Sequence, residues 1–393
     1  MMSINWDKKF SERAGGLYGS MTRKLMHVMA DPEVISFGGG LPAWDLFPIE
    51  QIRTITDDLL KHDGAAVLQY STSEGYRPLR EKLAERFQQR DYEVTTENIL
   101  IDTGSMQGID LMGKLFLDQG DTVVLGDPTF LTALQAFGYY QANYLTLPVD
   151  DAGMQVAHLP QILENNEVKF IYIMPTFQNP TGRTLSLERR HQLVKVATHY
   201  GVPIVEDDAY GDLRYEGDSL PSLKSLDKAE GVIYLGSFSK ILSPGLRVGF
   251  IIAPNRLLEK LLYAKQASDL HTSVLPQRIA HEFLRQGYLD PHIQFIIHNY
   301  CQRRDAMLAA MASSFPSEVS YTHPEGGIFL WVTLPDGQDA GQLFDRAVAE
   351  KVVYVPGANY FANGSGHNTM RLNFSANSER EIAEGIRRLA KIL

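Results

Sequence analysis

From residue 99 to residue 252 short apolar runs recur along the chain, with helical stretches alternating between several of them. The runs are Ile99–Asp102, Thr122–Leu125, Phe170–Met174, Val202–Val205, Val232–Leu235 and Val248–Ile252. Runs this short and continuous, bounded by turn residues, predict strands buried on both faces. Between them, Ser105–Leu117, Phe130–Tyr139 and Leu187–His199 carry helical patterns. The alternation predicts an α/β fold, with a three-layer αβα large domain around a mostly parallel sheet. Near residue 290 the pattern changes. A long helical stretch covers Ile293–Ala312, a strand follows at Gly327–Trp331, a helix at 340–350 and a strand at Met370–Phe374. Ser378 and Glu381 are spaced as a capping box ahead of a closing helix. These predict a smaller α+β domain built from the N- and C-terminal segments. The expected division is an N-terminal segment (1–45) packing with the small domain, a large domain (46–290) and a C-terminal small domain (291–393).

Composition narrows the function classes. A chain of 393 residues, 44% hydrophobic, has material for two domains. The formal net charge is −10 and no basic run stands out, so nucleic-acid binding has no electrostatic support. Cys301 is the only cysteine, which excludes intrachain disulfides and a multi-cysteine zinc site. Met1–Phe10 has no apolar signal core, and no apolar run approaches the ~18–20 residues that span a bilayer. A cytoplasmic soluble protein is expected, with no membrane partner.

Chemistry concentrates where the apolar runs end. Lys240 follows the Val232–Leu235 run, flanked by Ser237 and Ser239, with Arg247 close behind. A lysine in a polar turn is ordinarily a solvated charge. Here the amine suits a Schiff base with a carbonyl, and the hydroxyls and guanidinium suit a phosphate; pyridoxal phosphate carries both groups. Thr103-Gly-Ser-Met-Gln107 stands at a strand-to-helix junction, where free N–H groups bind anions. Ser105 would serve equally as an N-cap. Asn179-Pro-Thr-Gly182 suits a β-turn, or an amide donor to a pyridoxal phenolate oxygen. Glu206, Asp207 and Asp208 end another buried run and are costly together unless one is paired or used. A carboxylate there can keep a pyridine nitrogen protonated, and Tyr210 can donate to the phenolate oxygen. Arg371, inside the Met370–Phe374 run, seeks an anion such as a substrate carboxylate, or lies on the polar face of a half-exposed strand. Tyr70 and Phe130 are either core aromatics or ring and phosphate contacts.

Together these motifs, from Gly38-Gly-Gly-Leu-Pro42 to Arg371, resemble fold-type I pyridoxal-phosphate-dependent aminotransferases of classes I and II. The Gly236-Ser-Phe-Ser-Lys240 and Ser243-Pro-Gly-Leu-Arg247 wording looks closest to the 2-aminoadipate and kynurenine aminotransferase subgroup. The resemblance implies that Lys240 is the Schiff-base lysine and Asp207 the pyridine-nitrogen partner. It implies that Tyr210 and Asn179 are phenolate donors, and that Ser105, Met106 (by its backbone), Ser237, Ser239 and Arg247 hold the phosphate. Phe130 would stack on the ring, in a place where the subgroup often has tyrosine. Gly39, Asn179 and Arg371 would meet the substrate, and Arg23 would read a distal carboxylate or simply lie on the surface. A homodimer is implied, with Tyr70 reaching the neighbouring site. The expected reaction moves an amino group from an L-amino acid to a 2-oxo acid. One pair is 2-oxoglutarate and glutamate, and the other a 2-aminoadipate, aromatic or branched-chain amino acid. A β-lyase on the same scaffold and a pyridoxal-phosphate-sensing transcription regulator are the alternatives.

Overall fold

The computed structural model describes residues 4–16, 28 and 31–393. Its strands in chain order are β1 (Ile35–Ser36), β2 (Ile99–Asp102), β3 (Thr122–Asp127), β4 (Asn143–Asp150), β5 (Gly153–Met154), β6 (Val168–Ile173) and β7 (Ile204–Asp208). They continue as β8 (Val232–Ser237), β9 (Gly249–Ile252), β10 (Ser320–Tyr321), β11 (Phe329–Thr333), β12 (Val352–Val353), β13 (Val355–Pro356) and β14 (Thr369–Asn373). Eight of them form one sheet in the order β2-β9-β8-β7-β6-β3-β4-β5. The β4, β3, β6, β7 and β8 stretch is parallel throughout. β9 runs antiparallel to both of its neighbours, and β5 to β4.

The apolar runs lack alternation because both faces are covered. In β6, Phe170 and Tyr172 join one core with the helices Ser105–Phe116 and Leu131–Tyr139. Ile171 and Ile173 join a second core with the helices Leu159–Asn165 and Leu187–Tyr200. Successive strand residues point to opposite faces, and each fully buried side chain of this size contributes about 1.5–3 kcal/mol. The three-layer α/β architecture expected from sequence is therefore the one observed.

The strand β4 has no counterpart in the sequence reading. Most of its residues are partly exposed and Pro148 interrupts it, so it lacks the continuous apolar signature of a central strand. The long helix predicted over Ile293–Ala312 spans Leu289–Ser314. The capping box holds: Ser378 N donates to Glu381 Oε2 at 2.8 Å, and the helix Glu379–Ala390 follows.

The second sheet, β10-β11-β14-β13, is antiparallel. A short parallel pair, β1 with β12, ties the N-terminal segment to residues 352–353. Beyond β1 the chain is clamped to the end of β14. Asn373 N donates to Phe37 O at 2.8 Å. Asn373 Nδ2 donates to Gly39 O at 2.5 Å and Leu41 O at 3.0 Å. This brings residues 38–41 and Arg371 over the C-terminal ends of β6, β7 and β8, the edge at which α/β sheets bind ligands.

Candidate active site

A cleft of about 330 Å³ opens at that edge. Its lining includes Gly39, Ser105, Met106, Phe130, Asn179, Asp207, Tyr210, Ser237, Ser239, Lys240, Arg247 and Arg371. All were singled out from the sequence. Tyr70 is not among them. Tyr70 is 78% exposed and stacks edge-on against His271, outside the cleft of its own chain. Arg23 lies outside the described residues.

Lys240 follows β8 by three residues. Phe238, Ile241 and Leu242, all buried, anchor the turn around it. Its Nζ donates to Gly40 O at 2.6 Å, a neutral partner for a charged amine. Burial, and then the nearby Arg371 and Arg247 guanidinium groups, pull the amine down from 10.5 to about 8.

The three acids of β7 have separate roles in the fold. Glu206 accepts from Leu223 N and Lys224 N at 2.9 and 2.8 Å, holding the start of the short helix Leu223–Leu226. Asp208 accepts from Tyr234 Oη at 2.9 Å and Gly211 N at 2.8 Å. Asp207 faces the cleft. It is 2% exposed, and its Oδ2 accepts from Tyr172 Oη at 2.7 Å. Its Oδ1 is buried with no hydrogen-bond partner among the described residues. Burial lifts its pKa to about 7, the Tyr172 bond opposes this, and Asp208 adds to it. A buried, unpartnered carboxylate oxygen facing a cleft calls for a donor from the occupant.

Ser237 and Ser239 share a 2.9 Å bond between their hydroxyls. Across from them the Ser105–Phe116 helix begins. Gly104, at φ 85°, takes the N-cap place and no side chain caps the helix, so the capping alternative for Ser105 fails. Arg247 Nη2 donates to Thr103 O at 3.0 Å. A Cβ on Gly104 would come within 2.5 Å of that Nη2. The left-handed glycine thus lets the guanidinium close over the helix start. Hydroxyls, free helix amides and a guanidinium together make a cradle whose chemistry suits a phosphate dianion.

Arg371 lies in β14 with 6% of its surface exposed, so the half-exposed alternative fails. Nη1 donates to Asn179 Oδ1 at 2.9 Å and Nη2 to Gly38 O at 2.5 Å. The guanidinium carbon lies 4.1 Å from the Phe329 ring centre and 5.2 Å from that of Tyr360. Among the described residues no carboxylate shares these contacts, and Nε has no partner. Tyr210 is buried, and burial raises its pKa, so its hydroxyl stays a donor at neutral pH. Phe130 forms one wall of the cleft at the start of the Leu131–Tyr139 helix.

The sequence reading missed Tyr172, Gly40 and Tyr360. A tyrosine inside the fully buried Phe170–Met174 run was a usable signal, since a buried hydroxyl seeks a partner. Gly40 and Tyr360 carry no local signal.

The residues present fit pyridoxal phosphate. The unpartnered Asp207 Oδ1 suits a pyridinium N–H, the cradle suits the phosphate, and Lys240 faces the same cleft. Comparisons with known proteins agree. The family model for aminotransferase class I and II matches residues 32–389. Aromatic-amino-acid aminotransferase 1 of Thermococcus litoralis is 45% identical over 397 residues, covering 100% of this chain and 95% of that protein. The 2-aminoadipate transaminase of Thermus thermophilus is 42% identical, covering 100% of this chain and 98% of that protein. The solved Pyrococcus horikoshii kynurenine aminotransferase, in complex with PMP, is 43% identical with a TM-score of 0.95, covering 99% of this chain and 97% of that one. The chain belongs to the class I and II aminotransferase family.

Proposed function

We propose that this protein is a pyridoxal-phosphate-dependent aminotransferase in which Lys240, Asp207 and Arg371 carry the reaction. The observation that carries the reading is the pair formed by Asp207 Oδ1, buried without a partner, and the depressed amine of Lys240 in one cleft. When bound, the cofactor supplies the carbonyl that accepts the amino group and the electron sink that eases loss of the Cα proton.

The chain's own residues supply position and proton movement. Lys240 Nζ takes the proton from the substrate Cα and gives it up again as the amino group moves. With a pKa of about 8, about one amine in ten is free at pH 7, against a few in ten thousand for an ordinary lysine. Asp207 holds the pyridinium proton in place. Tyr210 and Asn179 orient the ring through its phenolate oxygen, and Phe130 covers one face. Ser105, the Met106 amide, Ser237, Ser239 and Arg247 hold the phosphate. Arg371 takes the substrate α-carboxylate with Gly39 and Asn179 beside it. Asn179 already accepts from one arm of that guanidinium, and Phe329 and Tyr360 hold its plane.

We further infer a homodimer in which Tyr70 reaches the phosphate of the neighbouring site. Its exposure, with that of Trp44 and Leu68 at 74% each, supports this. The same proposal covers the division at residues 46 and 291 and a cytoplasmic setting. Among the described residues no helix is long and apolar enough to cross a membrane.

The named relatives act on aromatic amino acids, 2-aminoadipate and kynurenine, and we propose a donor from these classes, with 2-oxoglutarate as acceptor. A panel of L-amino acids with 2-oxoglutarate, read as glutamate formed, tests this. Glutamate should appear, and the pyridoxamine form of the cofactor should accumulate when the acceptor is left out. Release of ammonia and pyruvate without either would instead indicate a β-lyase.

A further inference from the structure

Asp102 closes β2, just before the Thr103–Gly104 turn that starts the Ser105–Phe116 helix. Its side chain is 0% exposed. Among the described residues neither of its carboxyl oxygens has a partner of full hydrogen-bond geometry, and the Gly104 amide is close enough only to favour the anion. Glycines make room for it: a Cβ on Gly108 would stand 2.9 Å from Oδ2, and one on Gly249 would collide with Oδ1. That same Cβ on Gly249 would stand 2.9 Å from Ser105 N. The place of that missing Cβ therefore lies between the carboxyl and the first amide of the phosphate cradle.

An unpartnered buried carboxylate is costly as an anion. Here it would also compete with the phosphate for the positive end of the same helix. The charged groups facing it are Lys265 from the Asn255–Asp269 helix, Arg247 from the β8–β9 loop and Asp207 from β7. Lys265 is itself engaged, donating to Asp269 Oδ1 at 2.9 Å, Gln107 Oε1 at 2.8 Å and Thr272 Oγ1 at 3.0 Å. Arg247 is committed to the cradle. Burial wins: it lifts Asp102 to about 7 against Lys265, Arg247 and the Gly104 amide, with Asp207 acting in the same direction as burial.

We propose that Asp102 is a proton-holding positioning residue for the cofactor phosphate: while its carboxyl keeps the proton the cradle binds the phosphate dianion, and when the proton leaves, a second negative charge under the helix start weakens that binding. The proposal rests on the phosphate-cradle reading given above. The coupling is reciprocal, so bound phosphate also keeps the proton on Asp102. The sign follows from that. Affinity is highest while Asp102 is protonated and falls as pH rises through its pKa, levelling off once it is ionised in both free and bound protein.

Equilibrium dialysis of the full-length protein with pyridoxamine phosphate, from about pH 6 to about pH 9, tests this for wild type, Asp102→Asn and Asp102→Ala. Pyridoxamine, which lacks the phosphate, is the companion ligand. Ionisations of the ligand itself cancel in the ratio of wild-type to variant Kd. That ratio should rise roughly tenfold across the range with pyridoxamine phosphate, as expected for a like charge nearby, and stay flat with pyridoxamine. Asp102→Ala carries the test if Asp102→Asn fails to fold. Parallel profiles in wild type and variants overturn the proposal. So does equal divergence with pyridoxamine, which would assign the effect to Asp207. If pyridoxamine phosphate binds wild type no more tightly than pyridoxamine at any pH, the cradle reading falls, and the proposal with it.

Discussion

Replacing Lys240 with methionine should end catalysis and yet make the cofactor-free protein more stable. The folded amine has a pKa of about 8, against 10.5 for an unhindered lysine. At about 1.4 kcal/mol per unit, holding the amine protonated in the fold costs about 3 kcal/mol at neutral pH. Two effects reduce the gain. The 2.6 Å bond to Gly40 O is lost, worth about 1 kcal/mol. Partial exposure of the side chain to water reduces the charge penalty further. A net gain of about 1–2 kcal/mol remains, which in a chain of 393 residues moves Tm by only about 2 °C, so urea unfolding is the better assay. The sign with pH is specific. A lysine whose folded pKa is depressed destabilises the fold fully below that pKa, and the penalty fades as pH rises from about 8 to 10.5. The advantage of Lys240→Met should therefore be largest at neutral pH and shrink toward the upper limit. A variant less stable than wild type at neutral pH, or an advantage that grows with pH, would refute the reasoning.

Arg371→Leu removes two charge-assisted donors from the α-carboxylate, so kcat/KM should fall roughly 100-fold or more, mostly through KM; an unchanged KM for every amino acid would remove Arg371 from substrate binding. Tyr172→Phe takes away the one hydrogen bond that the Asp207 carboxylate makes among the described residues, and should cost about 1–2 kcal/mol of stability. That bond lowers the pKa of Asp207, so losing it raises the pKa further. The acidic limb of kcat/KM should then move to higher pH in the variant, and an unmoved limb would show that Asp207 is not held by Tyr172.

The sequence made the central strands legible because burial on both faces leaves an unbroken apolar run, as in β6 and β8. It did not reveal β4, whose outer position leaves most of its residues partly exposed. Asp207 and Ser105 stood out because one lies at the end of a strand and the other opens a helix, and Lys240 and Asn179 because each sits in a polar turn after an apolar run. The contacts that define their chemistry were not legible. Tyr172 meets Asp207 only because β6 lies beside β7. Gly40 meets Lys240 across 200 residues of sequence. Asp102 read as the polar end of a strand, and only the packing of Gly108 and Gly249 around it shows that its carboxyl has no partner of full hydrogen-bond geometry among the described residues.

The clamp between Asn373 and residues 39–41 has a consequence for the order in which the protein is made. Synthesis runs from the N-terminal to the C-terminal side, so the residues from Ser105 to Arg247 leave the ribosome before Arg371 and Asn373 exist. The Gly38–Leu41 segment emerges well before them, yet its Gly39 and Leu41 carbonyls must wait for β14, the last strand of the described residues, to be translated. A nascent chain thus has its cofactor side complete before its substrate side.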